Sequence, residues 1–178
     1  MITEGYIGKH YSELPTPCLL LDLDAVDHNI KTLQEYLDNN SSCKLRPHIK
    51  THKCPKLAHI QIQAGAIGIT CAKIGEAVEM AHAGIKSILI ANEVIGDDKI
   101  KVLAGLNRYA EVMPSADNKE NIVRIYYYAR KAGVTIPLFI DVDTGIDRCG
   151  IRTIPEALEL GEHIKSLPNI YLKGIHAY

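Results

Sequence analysis

The stretch Leu45-Arg46-Pro47-His48-Ile49-Lys50-Thr51-His52-Lys53 gathers an unusual density of titratable groups. Pro47 disfavours a helix interior, and in an extended segment Arg46, His48, Lys50 and His52 fall on one face because side chains alternate. An ordinary buried strand face does not carry such groups, since each unpaired charge is costly to desolvate. Cationic neighbours in a confined site disfavour the ammonium form of a lysine and free its amine as a nucleophile. Bringing a lysine from about 10.4 to near 7 corresponds to about 4.6 kcal/mol, enough to change what the amine does at neutral pH. The same basic face would attract an acidic, phosphorylated cofactor. A solvated edge strand is the alternative reading of this spacing. Zinc at His48 and His52 is disfavoured, because four residues along a strand span about 13 Å and a helical reading lacks the glutamate of H-E-x-x-H.

Two further clusters carry polar groups that could meet a ligand. The first is Asp141-Val142-Asp143-Thr144-Gly145-Ile146-Asp147-Arg148-Cys149-Gly150, which follows an apolar run. Asp143, Gly145 and Gly150 read as turn residues, while Arg148 offers a rigid multi-donor fork suited to an anionic oxygen. An arginine paired with Asp141 or Asp147 only to fix the loop fits the same residues. The second is Gly174-Ile175-His176-Ala177-Tyr178, in which Gly174, His176 and Tyr178 share one face of an extended segment. A flat side chain there could lie against a planar ring, and an ordinary core tyrosine fits equally well.

The elements that must position these residues alternate along the chain. A strand is expected at 18–23, then a helix that Asp24 caps and that carries Val26, Ile30, Leu33 and Leu37 at helical spacing until the polar run from Asn39. Strands are expected at 45–51, 66–72, 87–92, 110–114, 137–143 and 170–178, with helices near 54–64, 75–83, 97–106, 118–132 and 154–166. Strands separated by helical crossovers imply parallel pairing and an α/β class. A doubly wound sheet is disfavoured because no G-x-G-x-x-G or G-x-x-x-x-G-K-[ST] follows any strand. A (β/α) barrel of the TIM type is favoured, since Leu138, Ile140 and Val142 alternate with Phe139, Asp141 and Asp143, one face for helices and one for a reaction chamber. About six of the eight strands of a closed barrel are present, so the chain reads as a fragment or as one part of an assembly, with residues 1–43 as a leading strand and helix.

Composition narrows the partners. With 20 basic and 21 acidic residues interspersed and a formal charge of -1, no global field recruits nucleic acid or an anionic membrane. No leader-like apolar region opens the chain and no run approaches a membrane span, which leads to the expectation of a cytoplasmic protein. Five cysteines show no CxxC pair or metal-knuckle spacing, as expected for reduced, mostly buried thiols.

Taken together, Thr16-Pro17 before Leu20-Leu21-Asp22-Leu23-Asp24, the Arg46-to-Lys53 stretch, Gly75-Glu76-Ala77, the Asp143-to-Gly150 loop and Gly174-to-Tyr178 resemble fold-type III pyridoxal-phosphate (PLP) enzymes. Within them the resemblance is to the D-threonine aldolase and D-serine dehydratase branch of the alanine racemase N-terminal barrel superfamily. It implies a TIM-type barrel and a lyase acting on D-configured β-hydroxy amino acids. Lys50 would form the Schiff base with PLP, Arg148 would contact the cofactor's phenolic oxygen, and Tyr178 would pack on its ring. His48 and Arg46 would lie beneath it. The resemblance also implies a homodimer, and a divalent metal held by ligands in a C-terminal β-domain that this sequence lacks, with no metal ligand in this chain. An amino-acid racemase and a non-catalytic PLP carrier are the alternatives.

Overall fold

The computed structural model describes residues 4–178, and the chain divides into two compact units, Met1–Ser42 and Cys43–Tyr178. In the first unit the main element is helix α1, Leu23–Asn40. Its N-cap is Asp22, whose carboxylate accepts the backbone N–H groups of Asp24 and Ala25 at 3.0 Å each. The cap therefore lies two residues before Asp24. The strand expected over 18–23 does not form: residues 18–22 have no regular structure, no neighbouring strand pairs with them, and Leu23 already belongs to the helix.

The second unit is a run of parallel strands and helices. Their order is α2 (Pro55–Gln63), β1 (Ile69–Cys71), α3 (Ile74–His82), β2 (Ser87–Glu93), α4 (Asp97–Leu106), β3 (Glu111–Ala116), α5 (Lys119–Ala132), β4 (Ile136–Val142), α6 (Ile154–Lys165) and β5 (Ile170–Ala177). The sheet order is β1-β2-β3-β4-β5 and every pairing is parallel. Each strand adds beside its predecessor. A doubly wound sheet reverses direction at a switch point, so this order is the wall of a (β/α) barrel.

Local chemistry sets the helix ends. Pro55 opens α2, where its missing N–H costs nothing. Thr153 and Glu156 form a reciprocal capping box at α6, and Gly133 closes α5 with φ +69°. On the helix side of the sheet, Ile69, Ile88, Ile90, Val112, Leu138 and Ile140 are buried, packed with Met80, Ile100, Leu103, Ile122, Ile125 and Ile164 from the helices. Full burial of each such side chain contributes roughly 1.5–3 kcal/mol.

Two local features position the site. The strand expected over 45–51 contracts to one bridge, His48 with Thr70. The Ile49 N–H reaches the Thr70 carbonyl at 2.8 Å, but the His52 and Lys53 N–H groups then fold back onto the Ile49 carbonyl. Lys50 thus stands in a turn at the end of the extended segment rather than within a strand. The wall has five strands and this bridge, not six full strands. The second feature lies between β4 and β5, where the register runs Leu138 with Leu172 and then Phe139 with Gly174, leaving Lys173 as a bulge. Beyond it Asp141 stands beside His176. Among the described residues, no helix is long and apolar enough to cross a membrane.

Candidate active site

The C-terminal ends of the strands surround a cavity of about 280 Å³. Its walls include His48, Lys50, Glu93, Arg148, His176 and Tyr178. These residues come from the turn after the His48 bridge, the end of β2, the loop after β4 and the end of β5. Barrel enzymes gather their reacting groups on this rim. A larger hollow of about 560 Å³ lies beside Arg124 and Tyr127 on outer helices, away from the strand ends.

Lys50 is exposed on the cavity side, and its backbone N–H donates to His48 Nδ1 at 3.2 Å, which ties the turn to the imidazole. Burial, then the neighbouring Lys50 charge, pushes the His48 imidazole below its usual value. Arg46 serves a different place. Its guanidinium donates to the Ser87 carbonyl at 3.2 Å and the Ser87 hydroxyl at 3.0 Å, joining the opening segment to the start of β2. Gly68, with φ +150°, leaves room for it, since a β-carbon there would collide with that guanidinium and the Ser87 carbonyl. Arg46 is not among the residues lining the cavity.

Arg148 lies over the Tyr178 ring, 5.7 Å from its centroid. Thr144 Oγ1 donates to the Tyr178 carbonyl at 2.5 Å, so the loop after β4 also grips the end of β5. The loop is braced by Asp143, one of the expected turn residues, and by Arg152, which the sequence did not single out. Asp143 Oδ1 accepts the N–H groups of Gly145 and Asp147 at 3.0 Å each, and Arg152 Nε lies 3.1 Å from Asp143 Oδ2. Arg152 also pairs with Asp147, so the loop-fixing arginine is Arg152, and Arg148 is left beside the cavity. Backbone hydrogen bonds from Asp147 and Gly145 hold the Asp143 carboxyl below the usual carboxylate range.

A polar cluster forms the floor, with Asp141 and Ser115 buried and Glu93, Cys149 and His176 half-buried. Asp141 Oδ1 lies 2.7 Å from His176 Nδ1, which is also 3.1 Å from Ser115 Oγ, and Asp141 Oδ2 accepts from Cys149 Sγ at 3.3 Å. Glu93, Asp141 and Cys149 bring their donor atoms within 4.8 Å of one another. Burial, then the Asp141 carboxyl, pushes Glu93 up, and burial pushes the Cys149 thiol to about 11. Both Asp141 oxygens are engaged by these contacts, whereas Glu93 Oε1 is buried without a hydrogen-bond partner. Sequence reasoning missed Glu93, whose only signal is its position at the C-terminal end of an apolar strand.

A primary amine, a guanidinium, imidazoles and an aromatic ring therefore converge on one small cavity, a donor set suited to a flat, anionic ligand bearing an aldehyde. The family model for the alanine racemase N-terminal domain matches residues 21–178.

The chain belongs to that family.

The alanine racemase N-terminal domain accounts for the parallel strand order. Within the family the chain is 36% identical over 171 residues to a D-threonine aldolase from an Arthrobacter species, covering 96% of this chain and 45% of that protein. It is 36% identical over 173 residues to a 3-hydroxy-D-aspartate aldolase of Paracoccus denitrificans, covering 96% of this chain and 44% of that protein. A D-threonine aldolase structure from Filomicrobium marinum superposes with a TM-score of 0.90 at 35% identity, over 93% of this chain and 44% of that one. The chain thus spans less than half the length of the curated relatives it matches.

Proposed function

We propose that this chain supplies the Lys50 wall of a PLP-dependent lyase that acts on D-configured β-hydroxy amino acids. The observation that carries this reading is the convergence of Lys50, Arg148, His176 and Tyr178, from three separate segments, on one cavity at the strand ends. The aldolase names of the relatives supply the substrate class. When bound, PLP supplies an aldehyde carbon for an amine and a conjugated ring that takes up the electron pair released as a bond at the substrate Cα breaks.

This chain's residues would place and protonate. The Lys50 amine, carried on a turn that its backbone N–H ties to His48, would hold the cofactor and take up or return a proton at the substrate nitrogen or Cα. Arg148 would present N–H donors to an anionic oxygen of the ring, its guanidinium being charged at any working pH. Tyr178 offers a flat face beside that donor. Arg46 and His48 act from below, by fixing the segment that carries Lys50. A homodimer and a divalent metal held outside this chain complete the reading.

Borohydride treatment of the intact protein with PLP is expected to leave the reduced pyridoxyl mass on the Lys50 peptide. D-threonine should yield glycine and acetaldehyde, whereas 2-oxobutanoate and ammonia would assign dehydration instead. Lys50→Ala should lower turnover at least a thousandfold, and activity surviving in that variant ends the proposal.

A further inference from the structure

His176 is held from behind by two buried groups. Asp141 is 4% exposed and Ser115 fully buried, and the β4–β5 register sets Asp141 directly beside His176. A carboxylate oxygen 2.7 Å from an imidazole nitrogen is attractive only when a proton lies between them, because two facing lone pairs repel. Nδ1 therefore carries the proton and donates it to Asp141 Oδ1, with Ser115 Oγ at 3.1 Å as a second acceptor. In the neutral ring the lone pair is then on Nε2. His176 lines the cavity while its Nδ1 edge faces the β3–β4 floor, which turns the Nε2 edge toward the cavity.

We propose that Asp141 and Ser115 lock neutral His176 in the Nδ1–H tautomer, so that Nε2 accepts a hydrogen bond from a hydroxyl or N–H of the amino acid seated at Lys50. The tautomer stands on the geometry alone, while the identity of the ligand rests on the proposed function. Asp141 is in this sense a positioning residue and His176 the group that touches substrate. Around them stand Lys50 and His48 on the opening segment, Glu93 on β2, and Arg148 and Cys149 on the loop. Cys149 holds the other Asp141 oxygen, which stops the carboxylate from rotating away.

The test is a long-range proton–nitrogen NMR correlation on the intact protein labelled with 15N-histidine, with His176 assigned among eight histidines by its loss in His176→Gln. The neutral ring is expected to show a protonated Nδ1 and a bare Nε2. Removing both acceptors, by Asp141→Leu together with Ser115→Ala, should shift the ring toward the Nε2–H form, and Ser115→Ala alone should preserve the original pattern. A protonated Nε2 in the unsubstituted protein, a measurement that needs no variant to fold, overturns the proposal. An unchanged tautomer in a folded double variant does the same. For the ligand contact, His176→Gln should raise KM for D-threonine up to about tenfold, the loss expected for one hydrogen bond, while PLP still attaches to Lys50. Unchanged kinetics overturn that contact. Failure of attachment at Lys50 in the unsubstituted protein would instead defeat the proposed function and leave the tautomer result standing.

Discussion

Glu93 and Asp143 are carboxylates driven in opposite directions by their surroundings. Glu93 holds its proton above the ordinary glutamate value, so its contribution to stability is present at low pH and is lost as pH rises through the raised folded value. Asp143 loses its proton early, so its contribution is present above the ordinary aspartate value and is lost as pH falls through the depressed folded value. Urea melts across pH should therefore show Glu93→Gln flattening the decline on the alkaline side of the carboxylate range, and Asp143→Asn removing part of the acid decline. A slope in Glu93→Gln equal to that of the original protein counts against a Glu93 carboxyl raised by its surroundings. Thiols give a second check: burial pushes Cys71 to about 12, whereas Cys18 is exposed, so iodoacetamide should label Cys18 long before Cys71 in a mass-spectrometric time course. At this scale the sequence singled out Lys50, His48, Arg148 and Tyr178, because their types and spacing are unusual for a strand or a turn, and all four line the cavity. Arg46 was visible for the same reason, yet its partner Ser87 is 41 residues away, and alternation along one strand carries no information about such a contact. The identity of the loop-bracing arginine depended in the same way on side-chain packing, which chose Arg152 over Arg148.

Among the elements, helices were the more legible because apolar spacing along one segment is local, although the cap of α1 fell at Asp22 and not at Asp24. At α6 the Thr153–Glu156 box went unread, and in it Glu156 Oε2 accepts the Thr153 N–H at 2.9 Å. Thr153→Ala should cost about 1 kcal/mol, read as a lower denaturation midpoint, with the site geometry unchanged. Gly150 makes a harsher case. It has φ +98°, and a β-carbon there would meet the backbone of Val142 and Asp143 at under 3 Å. Gly150→Ala should therefore cost about 1–3 kcal/mol and also weaken PLP binding, because the strained segment ends the loop that carries Arg148. Retention of full PLP affinity in a destabilised Gly150→Ala protein would separate the loop's stability from its function. Strands were less legible at their ends. The leading stretch over 18–22 has the apolar residues of a strand but no partner to pair with, and the stretch over 45–51 turns after His48, where pairing with β1 gives way to hydrogen bonds within its own turn. Pairing is a property of two segments, and a pattern in one of them cannot report it.

For the molecule as a whole, the alternation of strands and helices pointed to a parallel sheet, and the alternating polarity of residues 137–143 pointed to a barrel wall over an open sheet. The observed order of strands bears this out. Among the described residues β5 pairs on one side only, and its Ile175 is 61% exposed. A long parallel edge with an exposed apolar side chain is prone to add further strands. The 178-residue chain should accordingly show concentration-dependent light scattering, and Ile175→Lys should reduce it; equal scattering in the variant would acquit this edge. The bulge at Lys173 has a consequence for heredity as well as for shape. Because Lys173 is the extra residue, loss of that one codon would straighten the strand and leave Gly174 beside Phe139 and His176 beside Asp141, with their side chains on the same face. A three-base deletion at that codon would thus spare the chamber's lining.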